Sequence, residues 1–146
     1  MREHEAGLRR YLRRLAPDDA DDLAQEAMLV AWRSCSQWRG EARFATWLRG
    51  IATRRFLDQR RKAQRRSDAQ PPAEFTAAPP LETQIQIDHA LAALPPRERA
   101  AALLVFAEGQ SHQEAASTLG VPLGSLKSIV ARARDRLMTS LEGVSP

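Results

Sequence analysis

The sequence predicts an all-α protein of two small helical domains joined by a proline-rich linker. Three observations carry that prediction. Apolar residues recur at three- and four-residue intervals through most of the 146 residues. The stretch SDAQPPAEFTAAPPLETQ, residues 67–84, holds four of the nine prolines and no Lys or Arg, the composition of an extended spacer. Residues 111–141 read as a short helix, a tight turn at Gly120-Val121-Pro122 and a longer second helix, a helix-turn-helix pattern. The predicted boundaries are 1–66 for the first domain, 67–84 for the linker and 85–146 for the second domain.

Composition excludes several classes. Hydrophobic residues make up 43% of the chain, too many for a disordered one. Residues 1–66 carry 16 basic and 9 acidic side chains, whereas 67–84 are acidic and 85–146 balance. The positive field, suited to a polyanion, therefore belongs to the first half. Cys35 is the single cysteine, so no internal disulfide forms. His4, His89 and His112 show no metal-ligand spacing, and no cofactor motif is present. No apolar run approaches the length of a bilayer span or a signal-peptide core, so a cytoplasmic location is the default.

In the first half, Leu8, Tyr11, Leu12 and Leu15 share one face of a basic helix that Pro17 ends. Membrane-surface helices look similar, but core packing suits so short a segment better. Asp18, Asp19, Asp21 and Asp22 open a second helix running to about Ser36, where carboxylates favour the positive helix end. These aspartates cannot all converge on one ion, so no metal site is expected. QWRGEAR, residues 37–43, reads as a loop. The next helix, FATWLRGIATRRFLDQRRKAQRR, has an inward stripe of Phe44, Trp47, Leu48 and Ile51. It also holds eight cations against Asp58 alone. Cations that follow a backbone beside rings that stack on bases suit unwound nucleic acid; solvated arginines around a tryptophan core are the plainer reading.

In the second half, residues 81–94 read as a helix with Ile87, Leu91 and Leu94 inward. Pro95-Pro96 ends it and starts the next. Residues 101–106 are nearly all apolar and predict a buried helix stopped at Gly109. Ser111 and Glu114 have capping-box spacing. In the last helix Leu126, Val130, Ala133 and Leu137 form the inward stripe. Lys127, Ser128, Ala131, Arg132 and Asp135 lie opposite, small residues and cations suited to phosphates and guanine edges.

DDADDLAQEAMLVAW followed by WRGEARFATWLRGIATRRFLDQRRK resembles region 2 of bacterial RNA polymerase sigma factors of the extracytoplasmic-function (ECF) group. ALPPRERAAALLVFAEGQSHQEAA with the helix-turn-helix resembles their region 4. The matches fall in the family's order and cover nearly everything but the linker. The resemblance implies a non-enzymatic sigma factor whose partners are core RNA polymerase and promoter DNA. An anti-sigma factor is common in the group.

The resemblance assigns polymerase-clamp binding to Asp21, Asp22, Leu23, Gln25, Glu26 and Met28. It places Arg39, Gly40 and Glu41 near a flipped base of the minus-10 element, with Phe44, Trp47, Arg54 and Arg55 along the separated strand. It gives the minus-35 duplex to Ser125, Lys127, Ser128 and Arg132, with Arg97 and Arg99 on phosphates. Part of region 4 contacts the polymerase flap, and the linker threads towards the active-site and RNA-exit channels.

Four departures stand out. Ile129 replaces a common Arg, which predicts a missing contact to DNA; Ala115 replaces an Ile and reduces packing. Arg54 stands where Asn is common. The family usually has another turn or more of helix before His4, which implies a reduced first helix or an earlier start. A free-standing helix-turn-helix repressor or activator is the alternative, although a repressor needs no strand-opening surface.

Overall fold

The computed structural model describes residues 2–38, 40, 43–66 and 83–142. Its elements are α1 (Arg2–Leu15), α2 (Ala20–Ser34) with a 3₁₀ turn Cys35–Gln37, and α3 (Phe44–Arg66). They continue with α4 (Thr83–Ala92), α5 (Pro96–Ala102) running into a π-turn Leu103–Ala107, α6 (His112–Leu119) and α7 (Leu123–Glu142). All regular elements among the described residues are helical. The helix expected over 81–94 is observed as Thr83–Ala92, so the last two residues assigned to the linker are helical. The rest of the linker, 67–82, lies outside the described residues.

Helices α1, α2 and α3 pack together. Leu8, Tyr11, Leu12 and Leu15 are all buried, as the spacing predicts. The inward face of α2 is built mainly from alanines, Ala20, Ala24, Ala27 and Ala31, with Leu23. Small side chains there let α1 and α3 approach closely. The α3 stripe lies deeper than expected: Leu48, Ala52 and Phe56 are buried, whereas Phe44, Trp47 and Ile51 are only partly so.

Tyr11 shows how tightly this core is closed. Its hydroxyl lies 2.7 Å from Thr53 Oγ1, which itself donates to the Arg49 carbonyl. A hydroxyl has one hydrogen, so Tyr11 is the donor to Thr53. Burial pushes the phenol well above its ordinary value of 10.0. The folded state therefore holds the Tyr11 proton more tightly than the unfolded state. Its stability contribution is complete below about pH 10 and falls as pH rises beyond that value. Tyr11 is the single tyrosine of the chain, so phenolate absorbance reports this group alone. We expect ionisation to coincide with alkaline unfolding. Tyr11→Phe should cost about 1 kcal/mol at neutral pH and remove this group's share of the alkaline slope.

Helices α4 to α7 form the second set. Leu91, Leu94, Ala100 to Leu104, Ala115, Leu119, Leu126, Val130 and Ala133 bury its centre. The apolar run after α5 does not stay inside. Glu108 N donates to Leu103 O, an i→i−5 bond, and this wider turn carries Phe106 out to 54% exposure. Ile129 is 3% exposed. It packs with the core and presents no side chain to DNA.

The two sets share one apolar cluster. Contacts run between α3 and α6, and between α1 and both α4 and α5.

Candidate nucleic-acid interface

The helix-turn-helix is built by local chemistry. Ser111 Oγ accepts from Glu114 N at 3.1 Å, and the Glu114 carboxylate accepts from Ser111 N at 3.2 Å, closing the capping box. Gly120 takes a left-handed conformation with φ +70°, which a side chain rarely adopts. Val121 N then reaches Ala116 O and Gly120 N reaches Ser117 O, the paired bonds of a Schellman end. Pro122 prevents the helix from continuing. The chain re-enters as α7, with Leu126, Val130 and Ala133 buried and Leu137 half-buried. Ser125, Lys127, Ser128, Ala131, Arg132 and Asp135 are exposed together on the other side. Ser128 Oγ donates back to Gly124 O at 3.3 Å, leaving its lone pairs outward.

The two arginines of α5 separate sharply. Arg97 is exposed. Arg99 is 8% exposed, and its guanidinium donates to four carbonyls: Leu91 O, Leu15 O, Ala92 O and Leu94 O, at 2.7 to 3.1 Å. The expectation that Arg99 contacts phosphate is therefore corrected. Its donors are committed to the ends of α1 and α4, and burial lowers its pKa, with nearby Arg60 adding to the shift. Glu98, also buried, pairs with Arg136 at 3.2 Å and Arg132 at 3.8 Å, tying α5 to the outer edge of α7.

At the head of α3, Phe44 lies 5.0 Å from the His4 ring, 5.4 Å from Trp38 and 5.7 Å from Trp47. These rings are half-exposed, and Gly40, between Trp38 and Phe44 in the chain, has a φ of +78° that allows the chain to turn there. Arg39 and Glu41, assigned to the flipped base, lie outside the described residues. Farther along, Arg55 reaches Glu26 at 4.0 Å. Arg54 is exposed, but its guanidinium already donates to Ser117 O at 3.0 Å and Thr118 O at 3.3 Å.

On α2, Asp22 and Gln25 are exposed, Glu26 and Met28 half-buried. Asp21 is exposed and holds Arg9 at 2.7 Å. Leu23 is fully buried in the core, so its assignment to a contact surface is corrected. The apolar groups that face outward are Leu29, 53% exposed, and Trp32, 77% exposed. Asp22, Gln25, Leu29 and Trp32 follow one another by three, four and three residues, a single stripe along the helix. Sequence reading passed over Leu29 and Trp32 because large apolar residues are normally inside. The signal was the alanine ladder at 20, 24, 27 and 31, which already occupied the inward face.

A helix-turn-helix with a cationic outer face, coupled to a basic helical unit with rings at its edge, is the architecture of a DNA-binding protein. Residues 1–66 match Sigma-70 region 2 and residues 84–137 match Sigma-70 region 4. The chain is 38% identical over 144 residues to the ECF RNA polymerase sigma factor SigM of Mycobacterium tuberculosis, covering 94% of this chain and 72% of SigM. It is 36% identical to SigE of Mycolicibacterium smegmatis, covering 94% of this chain and 58% of SigE. Among solved structures it is similar to the sigma factor RpoE of Bartonella quintana in complex with the anti-sigma factor NepR. That match has a TM-score of 0.75, 31% identity and coverage of 95% and 92% of the two chains. The chain belongs to the sigma-70 family, in its ECF group.

Proposed function

We propose that this chain binds core RNA polymerase and directs it to promoters, with its surfaces dividing the labour. The observation that carries the reading is the pairing of an exposed Lys127-Ser128-Arg132 face on α7 with matches to both sigma regions in one chain. In this reading α7 enters the major groove of the minus-35 element. Ser125 and Lys127 sit near its N-terminal end, and Arg97 reaches a phosphate. The ring cluster and Arg55 face the minus-10 element, where flipping a base costs a few kcal/mol that stacking and phosphate contacts must offset. Asp22, Gln25, Leu29 and Trp32 dock on the polymerase clamp. The role is recruitment and strand opening without catalysis, in the cytoplasm; among the described residues no helix is long and apolar enough to cross a membrane. An anti-sigma partner is inferred from the RpoE–NepR complex, whose sigma chain this one matches over 95% of its length.

The test is reconstitution. Purified protein with core polymerase should start transcription at a cognate promoter. Lys127→Ala and Arg132→Ala should each weaken binding to the upstream duplex by about 1–3 kcal/mol, with polymerase association unchanged. Equal loss of polymerase binding in both variants would show that the wrong face has been assigned.

A further inference from the structure

We propose that Glu98, a buried carboxylate under the outer edge of α7, is a positioning residue for promoter reading. It aims the Arg132 guanidinium at a guanine of the minus-35 duplex. It also keeps Arg132 and Arg136 from acting as plain phosphate-binding charges. The proposal rests on the reading of α7 as the helix that enters the major groove.

Glu98 is 7% exposed, although glutamates are almost never buried without a close partner. Its place in the first turn of α5 favours a carboxylate, but that accounts for an acidic residue there and not for its burial. The side chain lies where α5 packs on α7, and its counter-charges are Arg136 at 3.2 Å and Arg132 at 3.8 Å. These are charge pairs and not aligned hydrogen bonds: Glu98 Oε2 is buried and has no hydrogen-bond partner. Such an arrangement adds little to stability. The carboxylate is desolvated, while the cations facing it are 62% exposed at Arg132 and 58% at Arg136. A neutral side chain of the same shape would serve the fold as well.

The carboxylate sets direction. Ser128, Arg132 and Arg136 follow one another at four-residue intervals, one exposed row along α7, and Glu98 lies under the last two. Each arginine turns its Nε, the nitrogen next to the stem, towards Glu98. No hydrogen bond among the described residues engages the terminal nitrogens of either. Paired guanidinium nitrogens are the fork that matches O6 and N7 of guanine. An arginine anchored at Nε presents its terminal fork end-on, and less rotamer freedom is lost when it binds. The same carboxylate limits attraction to phosphate, because the two cations share one anion and this corner of α7 carries +1 instead of +2. Phosphate contacts hold a protein on any sequence, whereas the fork reads one base pair. Glu98 thus favours reading over holding.

Holoenzyme reconstituted from the full-length chain and core polymerase tests this on a duplex library randomised across the upstream element. Glu98→Gln keeps the shape and removes the charge, so its Tm should stay within about 5 °C of the wild type. Its discrimination should fall about tenfold at one base pair, the same one at which Arg132→Ala loses it. The double variant should lose no more than Arg132→Ala alone, because the two residues act as a unit. Binding of Glu98→Gln to a scrambled duplex should tighten, and its log–log salt slope should steepen by about 1. Arg136→Gln should keep the discrimination while binding the scrambled duplex more weakly. Wild-type discrimination in Glu98→Gln overturns the proposal, as do losses spread evenly over the element or additive losses in the double variant. A larger drop in Tm would make Glu98 a structural residue and overturn it too. If the wild-type holoenzyme selected no upstream sequence, the reading of α7 as the duplex-reading helix would fall, and the role of Glu98 with it.

Discussion

Arg99→Ala should destabilise the protein by about 3–5 kcal/mol, the largest effect we expect from any single arginine. Four carbonyls lose a charged donor in this variant: Leu15 O at the end of α1, Leu91 O and Ala92 O at the end of α4, and Leu94 O in the turn that follows. A helix end has carbonyls with no partner inside the helix, and at α4 the Arg99 fork supplies them from α5. Truncation leaves a cavity beside Phe56, over whose ring the guanidinium carbon sits at 5.9 Å. Against a total stability of about 5–15 kcal/mol, such a loss should lower the Tm by about 10–15 °C or leave the chain partly unfolded. Arg99→Lys should recover little, because an ammonium is a point donor and cannot span separated acceptors as the planar fork does. Arg97→Ala is the control: it should leave the Tm unchanged and weaken binding to duplex DNA. An Arg99→Ala protein with wild-type stability and weakened DNA binding would return Arg99 to the phosphate role that its position beside Arg97 suggests.

That contrast marks where sequence reading reached its limit. Periodicity located α3 at residues 44–66, and the chemistry of Ser111, Glu114 and Gly120 gave the ends of α6, because those signals are local. The outward face of α7 was legible for the same reason: the apolar stripe of Leu126, Val130 and Ala133 decides what lies opposite. Burial of charged groups was not legible. Arg97 and Arg99 are two residues apart on a short helix, and nothing local says which one faces the ends of α1 and α4. Glu108 and Arg49 are distant in sequence, so their pairing depends on how the halves meet. Leu23 was misplaced for a different reason. It was judged against a family pattern of contacts, while its apolar character already pointed inward. Leu29 and Trp32 are the reverse case, apolar and outward, because the alanines of α2 had taken the inside.

Trp32→Ala should lower affinity for core RNA polymerase by about 2–4 kcal/mol, on the order of 30- to 1,000-fold, while changing stability by no more than about 0.5 kcal/mol. The free protein leaves this indole 77% exposed, with Leu29 beside it at 53%. Adjacent large apolar side chains on the outside of a helix mark an interaction surface, and tryptophans at the centre of such surfaces dominate their energetics. Asp22 and Gln25 extend the same stripe with polar groups, which favours a partner that is apolar at its centre and has donors at its rim. Asp22→Ala should therefore cost about 1 kcal/mol and mainly slow association, in a salt-dependent way. Leu23→Ala separates surface from core one residue along. Its side chain is fully buried, so it should cost about 2–5 kcal/mol of folding stability and affect polymerase binding only through the folded fraction. Titration of labelled protein with core polymerase, alongside thermal unfolding of each variant, measures both quantities. If Trp32→Ala bound core polymerase as tightly as the wild type, the outward stripe of α2 would not be the docking face, and the surface around Phe106 would be the next to test.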